Sequence, residues 1–142
     1  MAYSTQDDIL DQLDEAVLIR LTDDEGTGSV NTARVDQAIA DADAEIDGYL
    51  GARHPVPLEP VPANIHKYSV DIAVYNLFSR KRDTAPEIRK ERYKAAIRYL
   101  EGVAEGKWTL GKDDPEGTPQ PADRPDIQSD PRIFSRDTMR GF

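Results

Sequence analysis

Four prolines fall within eight residues, at Pro55, Pro57, Pro60 and Pro62. Proline lacks a backbone N–H and fixes φ near −65°, so no helix can run through this stretch. We predict an extended or polyproline-like crossing there, with separate helical regions before and after it. The whole chain has 142 residues, the length of one domain with little room for a second core.

Spaced apolar residues predict three long helices, over residues 31–50, 63–81 and 84–106. The first and third have one apolar stripe each, whereas the second is apolar nearly all round and is predicted to be the buried central helix. Residues 4–21 are predicted to form one or two short helices, because an apolar residue recurs at every fourth position from Ile9 to Leu21. The predicted fold is an all-α small bundle.

Capping residues set the predicted helix boundaries. Ser4 or Thr5 can cap the first short helix, Asp14 a second one, and Asn31 or Thr32 the first long helix. Thr84-x-x-Glu87 has the form of a capping box before the last helix. Gly51 and Gly106 stand where the first and third long helices are predicted to end.

The chain changes character near residue 110. Five prolines and many charges between residues 111 and 132 predict an extended segment without a core of its own. We therefore divide the chain into a helical domain, residues 1–110, and an extended C-terminal tail, residues 111–142. The last ten residues, 133–142, regain apolar character and are predicted to be a docking segment. Its candidate docking residues are Ile133, Phe134, Arg136, Met139 and Phe142.

Charge is distributed unevenly along the chain. Residues 1–50 have 13 acidic and 2 basic side chains, a net charge of −11, whereas residues 51–106 have a net charge of +3. The unequal halves are either solvated helix faces or complementary surfaces that meet within the fold or between copies. On the second interpretation, the candidate subunit-interface residues are Asp36, Asp43, Asp47, Arg89, Arg92, Lys94 and Arg98.

Composition and motifs argue against several function classes. The chain has no cysteine and two histidines, which excludes thiolate zinc sites and makes a histidine-rich metal site a poor expectation. Residues 23–28 have some features of a calcium loop, but Arg34 occupies the position of the bidentate glutamate. We expect no bound metal or cofactor, no catalysis, and no signal peptide or membrane span.

Asp71 stands in the most apolar predicted helix, where a buried carboxylate needs a partner. We interpret it as a structural carboxylate paired with a lysine or arginine of residues 84–106; a catalytic role or an interface contact are the alternatives. The pairs Asp43/Asp47 and Asp41/Glu45 are each one helical turn apart, so a hydrolase using such carboxylates is a remote alternative.

A second alternative function rests on the basic residues of segment 84–106 together with Arg80, Lys81 and Arg82. These could contact phosphates or an acidic partner, which would make the chain an intracellular interaction module. The net charge of −9 argues against general binding to duplex DNA.

Five stretches resemble, in order, the Mu-like phage "gene product thirty-six" family. They are LTDDEGTGSVN (21–31), AIADADAEIDGYLGARHPVPL (38–58), VDIAVYNLF (70–78), RYKAAIRYLEGVAEGK (92–107) and FSRDTMRGF (134–142). The resemblance covers nearly the whole chain. Asp-Gly-Tyr-Leu, a short spacer, Pro-x-Pro and a helix containing Asp-Ile-Ala are its most specific part.

This resemblance implies a virion protein of a tailed phage, similar to helical head–tail connector, adaptor or head-completion proteins. Such a protein forms a homo-oligomeric ring, of twelve copies to match the portal, and extends the channel through which DNA passes without specific binding. The implied partners are the portal and a tail-side connector or terminator protein. The implied location is the virion neck, after assembly in the host bacterial cytoplasm.

Overall fold

The computed structural model describes residues 2–80 and 84–110, which form five α-helices and no strand. Two short helices, α1 (Gln6–Leu10) and α2 (Glu15–Thr22), precede three long ones: α3 (Thr32–Leu50), α4 (Ala63–Arg80) and α5 (Glu87–Ala104). The predicted all-α bundle, with three long helices and a short N-terminal helical segment, is confirmed. No helix within the described ranges is long and apolar enough to cross a membrane.

Helix α4 is the centre of the bundle and packs against both α3 and α5. Its nearly uniform apolar character explains this position, because side chains on most of its circumference, including Ile65, Ile72, Val74 and Leu77, are fully buried. Helices α1 and α2 pack across α3 and α4 and complete one continuous core.

Side-chain caps define the starts of α1 and α3. Thr5 caps α1 in a complete capping box with Asp8, and the side chain of Asn31 accepts a hydrogen bond from the backbone N–H of Arg34 at the start of α3. Asp14 occupies the N-cap of α2 without a side-chain hydrogen bond. The predicted capping box at Thr84 is wrong, because Pro86 occupies the N-cap and α5 begins one residue later, at Glu87.

The proline-rich crossing, residues 51–62, has no helix or strand and connects α3 to α4. Its Val56–Pro57 and Glu59–Pro60 peptide bonds are cis. His54 and Leu58 point inward and are buried, while most of the crossing is exposed. Near its start, Arg53 Nε donates a hydrogen bond to the Ala104 carbonyl at 3.0 Å, which ties the crossing to the end of α5.

After α5 the chain folds back on the helix it has just left. Gly106 has φ +78°, a left-handed conformation that reverses the chain, and the N–H groups of Lys107 and Trp108 both donate to the Gly102 carbonyl. Leu110 is buried at the end of this C-terminal turn, residues 105–110. The predicted tail and its docking segment lie outside the described residues.

Candidate functional site

Tyr3 holds the N-terminal segment, residues 2–5, onto the bundle. The residue is 3% exposed, its backbone N–H donates to Asp43 Oδ2 at 3.0 Å, and its hydroxyl donates to Asp47 Oδ1. The same hydroxyl accepts the backbone N–H of Leu58 at 2.9 Å. One side chain therefore joins the N-terminal segment, α3 and the proline-rich crossing, and burial together with the Asp47 hydrogen bond raises the pKa of Tyr3.

We call the contacts of Tyr3 and Ser4 with α3, α4 and the proline-rich crossing the N-terminal junction. Helix α4 completes it through two side chains. His66 Nδ1 lies 2.8 Å from the Tyr3 carbonyl oxygen. Because a carbonyl oxygen can only accept, this nitrogen is the hydrogen-bond donor. Ser69 Oγ donates to Asp43 Oδ1 at 2.8 Å, which leaves Ser4 Oγ as the donor in the 2.8 Å contact between the two serines. Every hydroxyl proton of the junction has an acceptor.

The acidic candidates on α3 consequently differ in what they contact. Asp43 and Asp47 are half-buried and satisfy donors of their own chain, whereas Asp36 is exposed and makes no contact with another described residue through a hydrogen bond or ion pair. Burial raises the pKa of Asp43, against the opposing effect of hydrogen bonds from Tyr3 and Ser69. Among these three, Asp36 is the one whose carboxylate is wholly available to a partner.

An open groove runs between the N-terminal segment and α3. It has a volume of about 590 Å³. Asp36, Asp43 and Asp47 line it together with the exposed Ala40 and Ala44, and no lining residue is basic. We call this the α3 groove; three carboxylates line it.

The basic candidates on α5 divide into two sets. Arg89 and Arg92 are half-buried and bind the corner between α1 and α2, where Arg89 Nη2 donates to the Gln12 carbonyl at 2.6 Å and Arg92 Nη1 to Gln12 Oε1 at 3.0 Å. Lys94 and Arg98 are exposed and make no ion pair or hydrogen bond with other described residues. The predicted basic face thus has an intramolecular part and a free part.

Asp71 is 5% exposed, and its carboxylate pairs with Lys67 Nζ at 2.8 Å, one turn earlier on α4. The interpretation that Asp71 pairs with a lysine or arginine of residues 84–106 is therefore wrong, because its partner is on its own helix and Arg89 acts on it only through longer-range charge. Burial and the neighbouring Arg92 lower the pKa of Arg89, and the charge of Asp71 opposes this effect. Arg89 Nη1 is buried without a hydrogen-bond partner in the described part of the chain.

Aromatic rings hold the C-terminal turn in place. Trp108 stacks on Tyr99 with 5.7 Å between ring centroids, and Tyr99 contacts Tyr68 at 4.8 Å. A Cβ atom at Gly102 would lie 2.7 Å from the Trp108 ring, so the indole occupies the space that a side chain would fill. Tyr99 also donates to the Thr109 carbonyl at 2.6 Å. Trp108 remains 45% exposed.

At the opposite end of the bundle, the loop after α2 is organised by its own acidic residues. Asp23 accepts hydrogen bonds from the backbone N–H groups of Thr27 and Gly28, at 2.9 and 2.8 Å. Asp24 pairs with Arg34 at 2.9 Å and Arg80 at 2.7 Å. Within residues 2–80 and 84–110, no group of three or more histidine, aspartate or glutamate side chains is placed to hold a metal ion.

Sequence reasoning missed Tyr3, Ser69, Gln12 and Trp108. Tyr3 contacts residues 40 or more positions away, and periodicity carries no signal for such pairs. Two local signals were present: Lys67 and Asp71 have the i, i+4 spacing of a helical ion pair, and a glycine inside a helix, Gly102, indicates a close approach.

The chain is similar to proteins of phage Mu and of a Mu-like prophage. Residues 3–129 match the protein family described as Bacteriophage Mu, Gp36. The chain is 34% identical over 114 residues to the Mu-like prophage FluMu protein gp36 of Haemophilus influenzae, which covers 80% of this chain and 79% of that protein. It is 33% identical over 144 aligned positions to Gene product J of Escherichia phage Mu, which covers 100% of this chain and 99% of that protein.

Proposed function

The chain belongs to the bacteriophage Mu Gp36 family, and from that premise we propose that it is a structural protein of a tailed-phage particle, a head–tail connector that forms a ring between portal and tail. The observation that carries the proposal is the family match over residues 3–129, joined to an alignment with a phage Mu protein along nearly its full length. The proposed role is assembly rather than catalysis, without a cofactor or a metal.

In this proposal, twelve copies form the ring in the virion neck after assembly in the host cytoplasm. The portal lies on one side and a tail-side connector or terminator protein on the other. DNA passes through without specific binding, which the net charge of −9 supports because an acidic surface repels phosphates. A heterologous contact, in which one surface of each copy meets a different surface of the next, closes such a ring by rotation.

Loss of the protein from the phage tests the role directly. We expect a phage that carries a stop codon in this gene to produce DNA-filled heads and separate tails, visible by negative-stain electron microscopy. Joining should return when the protein is supplied from a plasmid. Normal joined particles in the absence of the protein would refute the connector role.

The exposed charges identify the variants that test the ring interface. Asp36→Lys, or Lys94→Glu with Arg98→Glu, changes charges that have no partner among the described residues. Asp43 and Asp47 are unsuitable because they hold Tyr3. Exposed ion pairs contribute only about 0–1 kcal/mol each, so we expect each variant, which gives both surfaces the same sign, to lose part of its ring assembly on portals. Combining the variants restores opposite signs and should recover assembly. Glu25→Lys, in the exposed loop after α2, is the matched control.

The docking segment is proposed to attach each copy to a neighbouring subunit, the portal or a tail protein. Deleting residues 133–142 should leave a helical, cooperatively melting protein, because the core of the described residues is complete by Leu110. The shortened protein should fail to enter particles stably, and Phe134→Ala with Phe142→Ala should cause most of the same loss. Particle yields by plaque assay and thermal melts by circular dichroism give the two readouts.

The alternative interaction module predicts a different result. If the basic residues of α5 bind nucleic acid, the purified protein should shift a labelled duplex or single strand at moderate salt, and Lys94→Glu should abolish the shift. Arg89 and Arg92 are already engaged by Gln12, so few cations of α5 remain for such binding. We expect no shift.

A further inference from the structure

The α3 groove combines three features that together describe a binding surface. Three carboxylates line it, those of Asp36, Asp43 and Asp47, and no described residue that lines it has a basic side chain. Its floor, formed by Ala40 and Ala44, is exposed and small, so another segment can approach the helix closely. Asp43 and Asp47 are held in position by Tyr3, which makes the negative charge a fixed property of the folded chain.

The end of the chain carries the complementary charge. Residues 111–131 have a net charge of −4, whereas residues 132–142 have a net charge of +2 from Arg132, Arg136, Arg140 and the single Asp137. Apolar side chains, among them Ile133 and Phe134, are interspersed between these arginines. In this segment cations predominate and stand next to apolar residues suited to burial against alanines.

The connection is long enough for this segment to reach the groove of its own molecule. The 21 residues between Leu110 and Arg132 span at most about 70 Å, whereas α3 is about 28 Å long. A covalent connection of this kind gives an effective concentration in the millimolar range, above that of a second copy in dilute solution. We infer that in the isolated chain, before the docking segment reaches its assembly partner, residues 132–142 bind the α3 groove of their own chain, with the arginines facing the carboxylates.

The absence of native cysteine allows a direct test in the full chain. Ala40→Cys with Ser135→Cys places one thiol in the groove and one in the segment. Ala95→Cys with Ser135→Cys is the matched control, because Ala95 is also an exposed helical alanine but lies on α5. The rate of disulfide formation in a glutathione buffer is followed by non-reducing electrophoresis at low protein concentration.

We expect the groove pair to close about tenfold faster than the control pair, within one chain. Changing Arg132, Arg136 and Arg140 to glutamate, or adding 0.5 M salt, should remove the difference, because the attraction is electrostatic. Equal rates for the two pairs, or a disulfide that joins two chains at every concentration, would overturn the inference. It concerns the isolated chain and does not depend on the connector role, so a failure here leaves the phage deletion experiment unaffected.

Discussion

The two ends of the described chain are fixed to the bundle by different chemistry. The N-terminal junction relies on hydrogen bonds from Tyr3 to carboxylates of α3, whereas the C-terminal turn relies on ring stacking of Trp108 on Tyr99 and on one left-handed glycine. Carboxylates change charge as the pH falls below neutral, and stacked aromatic rings do not. The comparison teaches that segments of similar length on one bundle can differ in their response to solution conditions.

Removing Tyr3, which holds the N-terminal junction together, should cause the largest loss of stability. Tyr3→Ala leaves a cavity and unpaired donors, and we expect it to lower the free energy of unfolding by about 3–5 kcal/mol. Tyr3→Phe keeps the ring but strands the Leu58 N–H and the Asp47 carboxylate, at a cost of about 1–3 kcal/mol. Urea unfolding measures both. Equal losses for the two variants would show that the hydroxyl, not the buried ring, dominates.

Gly106→Ala in the C-terminal turn should cause a smaller loss of stability. At φ +78° an alanine is strained by about 1–2 kcal/mol, and its Cβ would lie 2.5 Å from the Arg53 guanidinium. We expect the loss in urea unfolding to exceed this strain alone, because the Arg53 guanidinium must also move. Gly26→Ala is the control for strain alone, because it has φ +73° and open space around the added atom. A loss at Gly106 no larger than at Gly26 would contradict a role for Arg53.

Asp43→Asn tests whether the N-terminal junction responds to pH. At neutral pH we expect it to change the free energy of unfolding by no more than about 1 kcal/mol. Burial raises the pKa of Asp43 above the ordinary 3.8, so the folded chain holds this proton more tightly than the unfolded chain. The resulting stabilisation of the folded chain is complete at pH values below the ordinary pKa of 3.8. It is lost as the pH rises through the raised pKa of the folded chain.

The wild-type protein should therefore gain stability relative to Asp43→Asn as the pH falls from 7 towards 3.8. Urea unfolding of both proteins across this range provides the measurement, with Asp36→Asn as an exposed control. If the difference in free energy of unfolding between the two proteins stays constant with pH, or moves the other way, the raised pKa of Asp43 is contradicted.

Gly102→Ala should give the smallest change in stability. The added Cβ favours the helix by up to about 1 kcal/mol but displaces the Trp108 ring, so the two effects offset each other. Trp108 is the single tryptophan of the chain, and its fluorescence should shift to longer wavelength as the indole enters water. An unshifted spectrum would mean that the ring does not rest on Gly102. The shift should be the same at pH 4.5 and 7, unlike the effect at Asp43.

Much of the fold could be predicted because its causes are local. The stripe from Val35 to Leu50 and the cap at Asn31 define α3 from neighbouring residues alone. The error at Thr84 has a physical reason: a Thr-x-x-Glu spacing fits a capping box, but the helix starts after Pro86, which supplies an N-cap of fixed φ instead.

The candidate site was harder to predict because its partners are distant in sequence. Helical spacing places Asp43 and Asp47 on one face of α3, but it cannot show that Tyr3 covers them. The division of the α5 cations likewise depends on Gln12, which is 77 residues from Arg89. Charge counts give the net charge of each region but do not tell which charges are already satisfied within the fold.

The hydrogen bond from Arg53 to the end of α5 has a mechanical consequence. Once the C-terminal turn yields, tension applied to the chain beyond Leu110 reaches the last turn of α5, where the Ala104 carbonyl accepts a hydrogen bond from Arg53 of the proline-rich crossing. The crossing is anchored again at Leu58, through the Tyr3 hydroxyl, to the start of the chain. A pull at one end of the bundle is thus transmitted across three segments to the other terminus, and α5 does not have to resist it alone by its own backbone hydrogen bonds.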